Sequence, residues 1–241
     1  MAVGKIFCRV LARHHAQASI SLVLLSLFLV ALVAPVRAAE RVEHLPPMKQ
    51  WMAARFEAVI VLNDQPQAVA RGEVSGPQRG HFVFKFLNLS DKRPRVVEVV
   101  AYDNVLYVRK DESNQWQITQ WGEEGAIPEE AQNILPLGDI RTGIAEFAQA
   151  GTLSRIGSTS VAGVPTDQYQ VWIPGRQAGI DHIAYDVWIG QQVPYVHKIQ
   201  FSFFGLGPDG TAVKSELVER FYDFDAADIV VRPPSNVSQT P

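Results

Sequence analysis

Between Asp181 and Asp225 three long extended segments follow one another, and their period of two constrains the fold more than any other feature of the chain. They run from Asp181 to Ile189, from Val193 to Phe204 and from Thr211 to Phe224. In the middle one Tyr195, His197, Ile199, Phe201 and Phe203 share one parity, while Lys198, Gln200 and Ser202 share the other. A strand points successive side chains to opposite faces, so this pattern predicts a sheet with one apolar and one polar side. The connections at Gly190-Gln191-Gln192 and from Gly205 to Gly210 are short and turn-forming, which makes the strands antiparallel. In the third segment Leu217 and Phe221 share a parity with Glu219, so the pattern leaves its inward face open.

The same period runs through the first half. Phe56, Ala58, Ile60 and Leu62 alternate with Arg55, Glu57, Val59 and Val61, and Asn63-Asp64 makes a turn. A more polar strand, 67–75, leads to His81–Leu89, where Phe82, Phe84 and Phe86 lie on one side. The β-branched run 95–102 turns at Asp103-Asn104 into Val105–Arg109, with Leu106 and Val108 on one parity, and a sixth strand spans 116–121. The period then changes. Pro128-Glu129-Glu130 opens a helix that must stop before Pro136. Asp139 caps a second helix in which Ile140, Ile144, Phe147 and Ala148 form one apolar stripe, and Gly151 ends it. Strands resume at 153–161 and 166–173. The expectation is an α+β fold: a strongly curved antiparallel half-barrel of about eleven strands, with two helices inserted after the sixth and covering an apolar cavity. Residues 51–234 form one domain, 39–50 a linker and 235–241 a flexible tail.

The first 38 residues are a different material. Lys5, Arg9 and Arg13 precede an apolar run from Ser19 to Val33, and Val36-Arg37-Ala38 offers small residues at the positions a signal peptidase inspects. The segment therefore reads as a signal peptide cleaved after Ala38. Retained instead, it would be an uncleaved anchor, since the run is close to bilayer length. Cys8 precedes the apolar core, so it does not serve as a lipobox, and the mature chain has no cysteine for a disulfide or thiolate site. Removing the leader's four basic residues leaves 18 cationic against 25 anionic side chains, a net charge of −7. That argues against a nucleic-acid partner and for no more than transient contact with an anionic membrane.

A search for catalytic constellations finds little. His44, His81, His182 and His197 have no metal-ligand spacing, and His197, alone on an apolar parity, reads as an interior residue. There is no Gly-x-Ser-x-Gly, phosphate loop or His-Glu-x-x-His. No cofactor and no metal is expected. The aromatic excess on one face is more informative. As a set it suggests a partly open apolar cavity, and small-ligand sites are concave and mostly apolar in this way. The expected lining is Phe56, Ile60, Phe82, Phe84, Phe86, Leu106, Val108, Ile140, Ile144, Phe147, Val187, Tyr195, Ile199 and Phe201.

Several local patterns carry a family resemblance. Tyr107-Val108-Arg109 before Trp116 looks like a "tyrosine, apolar, turn, tryptophan" hairpin. Val161-Ala162-Gly163-Val164-Pro165 followed by Tyr169-Gln170-Val171 is similar to an "apolar-x-Gly, turn, Tyr-x-apolar" strand pair. Asp186–Ile189 with Val193-Pro194, and Phe221–Phe224 with Pro233-Pro234, match a tryptophan strand and an "aromatic, Asp-Phe, then Pro" ending. In order and spacing these resemble the LolA/LolB lipoprotein-carrier superfamily, most closely its LppX/LprG-type envelope lipid-binding branch, over 51–234. The resemblance implies a half-barrel closed by helices over an apolar cavity that carries acylated molecules without catalysis. The chain departs from the pattern in the Ile189-Gly190-Gln191-Gln192 turn and in lacking the lipobox cysteine.

The function expected is that of an exported carrier, periplasmic, envelope-bound or extracellular, with a lipid or acylated ligand and an envelope protein as partners. An envelope-sensing or scaffold module on the same fold is the alternative. A hydrolase ranks third, for want of a nucleophile–base pair.

Overall fold

The computed structural model describes residues 39–87, 96–111, 113, 115–120, 139–175, 179–207, 209–235 and 237. The six strands of the first half are β1 (Glu40–Arg41), β2 (Ala53–Leu62), β3 (Gln65–Ser75), β4 (Arg79–Phe86), β5 (Val96–Tyr102) and β6 (Val105–Lys110), and β7 (Gln117–Gln120) follows. Helix α1 (Ile140–Ala150) precedes β8 (Thr152–Val161), β9 (Val164–Pro174), β10 (Ile180–Gly190), β11 (Val196–Leu206) and β12 (Ala212–Tyr222). All twelve strands join one antiparallel sheet in the order β1-β8-β9-β10-β11-β12-β2-β3-β4-β5-β6-β7. The sheet is not closed, and β1 and β7 are its edges, an arrangement that fits a half-barrel.

The turns form where short polar residues tolerate a left-handed backbone. Asn63 and Asp64 have φ of 48° and 62°, and Asp103 and Asn104 have 47° and 70°. Both central residues at φ > 0 is the type I′ signature, whose twist matches that of a two-residue hairpin. Helix α1 starts as its sequence predicts: the Asp139 side chain accepts from the Arg141 amide at 3.0 Å.

The strand number is twelve, against about eleven expected, because the segment read as a linker contributes β1. Glu40 pairs with Arg155, the Val42 amide donates to the Leu153 carbonyl at 3.2 Å, and the Lys49 amide to that of Pro194 at 2.9 Å. Val42, Leu45 and Met48 pack against the core. Pro46-Pro47 made the stretch look unstructured, but its apolar residues and spare amides are used. Helix α1 is the one helix among the described residues. The helix expected from Pro128 lies outside them, as do the leader 1–38 and most of the tail.

The longest-range pairing in the sheet is β12 with β2, which brings the end of the chain back to its beginning. Phe221 pairs with Phe56, Glu219 with Ala58 and Leu217 with Ile60. A second device is a bulge: Trp188 pairs with Lys198, but the next residue, Ile189, pairs with Val196. The extra residue reverses the parity of β11 at its start, so Val196 is the one in register with inward Ile189.

Candidate functional site

Directly paired residues in an antiparallel sheet point to the same side, so three rows across the strands define the inner face. One row runs Phe221, Phe56, Gly72, Phe82, Val99, Val108 across β12, β2, β3, β4, β5 and β6. The next runs Val187, Ile199, Glu219, Ala58, Ala70, Phe84, Val97, from β10 to β5. The third holds Tyr185, Phe201, Leu217, Ile60, Ala68, Phe86. The inward face of β12 is therefore the one that carries Leu217, Glu219 and Phe221.

The two wings of this face differ in texture. On β2 and β4, Phe56, Phe82 and Phe84 are completely buried, with ring centroids 5.4 Å apart for Phe56–Phe82 and 6.4 Å for Phe82–Phe84. Gly72 and Gly80 make room for them. A Cβ at Gly72 would come within 2.8 Å of the Phe56 ring, and one at Gly80 would collide with the Phe82 ring. Phe86, Leu106, Val108, Val187, Ile199 and Phe201 are also buried. This part of the expected lining is close-packed core.

On β10 to β12 the face meets α1. Ile144 is fully buried, and the Phe147 ring stacks on Tyr185 at 4.4 Å and lies 5.8 Å from Phe201. Ile60, Ile140, Phe147, Ile183 and Leu217 are only partly buried against the core. Of the expected lining, Ile60, Ile140 and Phe147 keep part of their surface exposed, and Ile183 and Leu217 extend this accessible apolar strip.

Tyr195 has another position. It precedes the bulge, donates its hydroxyl to Asp225 at 2.6 Å, stacks on Phe224 at 4.4 Å, and lies under the Lys49 ammonium at 4.8 Å. Asp225 also accepts the amides of Met52 at 2.6 Å and Ala53 at 3.2 Å, and these bonds, Tyr195's first, hold its carboxyl below the usual range. The group clamps the start of β2 to the end of β12. His197 is buried as expected, but as the extra residue of the bulge, with its ring edge-on to Phe224 at 4.9 Å, and burial lowers its pKa.

Within the accessible strip stands Glu219, which the sequence left unplaced. Its strand neighbours on the inner face are Leu217 and Phe221, and its cross-strand neighbours are Ile199 and Ala58. Desolvation among them pushes its pKa up from 4.5 to about 8. Tyr185, 7% exposed, has its pKa raised by burial and then by the nearby Glu219 charge. Neither side chain has a hydrogen-bond or ion-pair partner among the described residues. The outer face of the same strands is satisfied instead: Asp186 accepts from Gln168 at 2.9 Å and Gln170 at 3.1 Å, and Glu216 accepts from Gln200 at 2.9 Å.

Farther along the outer face, β12, β2, β3 and β4 enclose a concavity of about 610 Å³. Val59, Val69, Val83 and Val218 floor it, with Glu57, Arg71, Lys85 and Arg220 around it. Arg71, Lys85 and Arg220 make no ion pair among the described residues. No group of three or more His, Cys, Asp or Glu side chains is placed to hold a metal among those residues.

No family model matches the chain, and no curated protein matches it in sequence. Among solved structures, it is similar to the lipoprotein LppX of Mycobacterium tuberculosis, at 13% identity over 78% of this chain and 90% of that one, with a TM-score of 0.47. It is similar to LprF of Mycobacterium bovis, at 10% identity over 77% and 90%, TM-score 0.48. A LolA-superfamily protein of Nitrosomonas europaea aligns over 73% and 85% at 9% identity, TM-score 0.26. At these identities each is a likeness of fold alone.

Proposed function

We propose that the protein is an exported, non-catalytic carrier that binds acyl chains of a lipid, glycolipid or lipoprotein and moves them across the cell envelope. The observation that supports this most is the strip of partly buried apolar side chains, Ile60, Leu217, Ile183, Ile140 and Phe147, between α1 and the inner face of the sheet. An acyl chain laid along them would take their remaining apolar surface out of water. Each methylene seated there contributes on the order of 0.8 kcal/mol, so a short stretch of acyl chain offsets the ordering it costs. Helix α1 rests on the sheet mainly through Ile144 and Phe147, which suits a lid. Among the described residues no helix is long and apolar enough to cross a membrane.

The test is direct. The mature protein, purified after export and extracted into organic solvent, should yield a co-purifying acyl compound by mass spectrometry. An interior with nothing bound, and no uptake of a fluorescent fatty acid, would sink the reading. N-terminal sequencing of the exported form should begin at residue 39 if the leader is cleaved.

The outer concavity favours a second reading, an envelope-sensing or scaffold module. Valines beneath three cations that make no ion pair among the described residues suit an acidic protein surface. On that reading a pull-down returns one stoichiometric partner, and the organic extract is empty.

A further inference from the structure

Glu219 and Tyr185 point at the same apolar strip from two directions. In register, Tyr185 stands on the row of Phe201 and Leu217, and Glu219 on the adjacent row beside Ile199. On the other side of Glu219 the two neighbouring strands contribute only the methyl groups of Ala58 and Ala70. No cation occupies the paired positions of β10, β11, β2 or β3 in these rows, and no ion pair to the carboxyl is found among the described residues. The Tyr185 hydroxyl has no partner among the described residues although the side chain is 7% exposed, and Glu219 has none either.

Polar groups in an apolar surround are normally hydrogen-bonded, because leaving them unpaired costs the desolvation of each group. Elsewhere in this sheet the rule is kept, even for Asp186, which is 6% exposed on the outer face. Among the described residues the one buried side-chain polar atom without a partner is Trp51 Nε1, so the Glu219 carboxyl and the Tyr185 hydroxyl reach solvent-accessible space, and on this apolar strip they are the polar groups open to a partner from outside the chain. We infer that the ligand is an amphiphile with an uncharged hydrogen-bonding group, a hydroxyl or an amide, which seats between the Glu219 carboxyl and the Tyr185 hydroxyl while its hydrocarbon lies along Ile60, Leu217 and Phe147. This rests on the carrier reading above and narrows it to a class of ligand.

The chemistry is matched on both sides. Burial keeps Glu219 protonated at neutral pH, so its carboxyl donates through O–H and accepts through C=O, as a hydroxyl or amide does in return. A plain ester lacks the donor. An ammonium would force the carboxyl to ionise in an apolar site and would leave Tyr185 without an acceptor to bind.

The experiment is displacement of a fluorescent fatty acid from the full mature protein by lauryl alcohol, lauramide, methyl laurate and laurylamine, which share one chain length. Wild type should bind the alcohol and amide about tenfold more tightly than the methyl ester, the worth of one good hydrogen bond. Glu219→Leu should erase that preference while still binding all four, and Tyr185→Phe should reduce it. Glu219→Gln, which keeps size and hydrogen bonding, should retain most of it and shows that loss in the leucine variant is not misfolding. Equal binding of alcohol and ester, or a preference unchanged in Glu219→Leu, overturns the inference and leaves the carrier reading standing. Tightest binding by laurylamine overturns the uncharged assignment. If neither the fluorescent fatty acid nor any of the four competing compounds binds, the carrier reading fails first.

Discussion

Strands β10, β11 and β12 present two faces that treat polar groups in opposite ways. On the outer face Gln168, Gln170 and Asp186 satisfy one another, and Gln200, Ser202, Lys214 and Glu216 form a second ladder, with Lys214 to Glu216 at 2.8 Å. On the inner face Tyr185 and Glu219 have no such partners. Side chains one residue apart on the same strands thus meet different rules. The outer groups bond one another, whereas the inner pair has no hydrogen-bond or ion-pair partner among the described residues.

The comparison can be broken first at the close-packed wing. Phe82→Ala should cost about 3–5 kcal/mol in a urea titration, because the ring is wholly enclosed and Gly72 and Gly80 cannot fill the void. Phe147→Ala, by contrast, should lose fatty-acid binding with a much smaller drop in stability, since that side chain is only partly buried. If the two variants lose stability equally, the distinction between packed wing and open strip fails.

Next comes Glu219. Its ordinary ionisation near 4.5 moves to about 8 in the folded chain, so the folded state holds a proton that the unfolded state gives up. Stability from this group is full below about 4.5 and is lost as pH rises to 8. Because the carboxyl is partly open to water, the loss is discounted to on the order of 2 kcal/mol. Glu219→Leu should therefore be the more stable protein at pH 8 by about that amount. The gap should narrow toward pH 5, as read from thermal midpoints at the two pH values. A gap independent of pH would show that Glu219 is solvated.

Asp186→Ala sharpens the contrast with the opposite sign. It strips the acceptor from the Gln168 and Gln170 amides and should destabilise by about 1–2 kcal/mol. The smallest effect belongs to Lys214→Ala, which removes an ion pair with Glu216 near the surface and should change stability by at most about 0.5 kcal/mol. A stabilising Asp186→Ala would mean that the outer ladder is no better matched than the inner pair.

Much of this was legible beforehand, and for local reasons. The turns at Asn63-Asp64 and Asp103-Asn104, the Asp139 cap and the phenylalanine parity of β4 depend on residues a few positions apart. Tyr195 was assigned to the inner face by extending the parity of Ile199 backward, and the bulge at the start of β11 interrupts that count. The run 39–50 was read from its prolines, whereas β1 is a strand because β8 offers it an edge.

The sequence by itself determined an antiparallel sheet with one apolar face, a capped amphipathic helix across it and the hairpin positions, because periodicity and turn chemistry are short-range properties. Tertiary structure decided the rest. The inward face of β12 is set by its pairing with β2, more than 150 residues away in sequence, as the 2.8 Å bond from the Lys214 amide to the Asn63 side chain illustrates. In isolation Glu219 is an ordinary charged residue in an alternating strand. Its ionisation is pushed up because that register sets it between Ile199 and Ala58, where neither neighbour can solvate a charge and no ion-pair partner stands among the described residues.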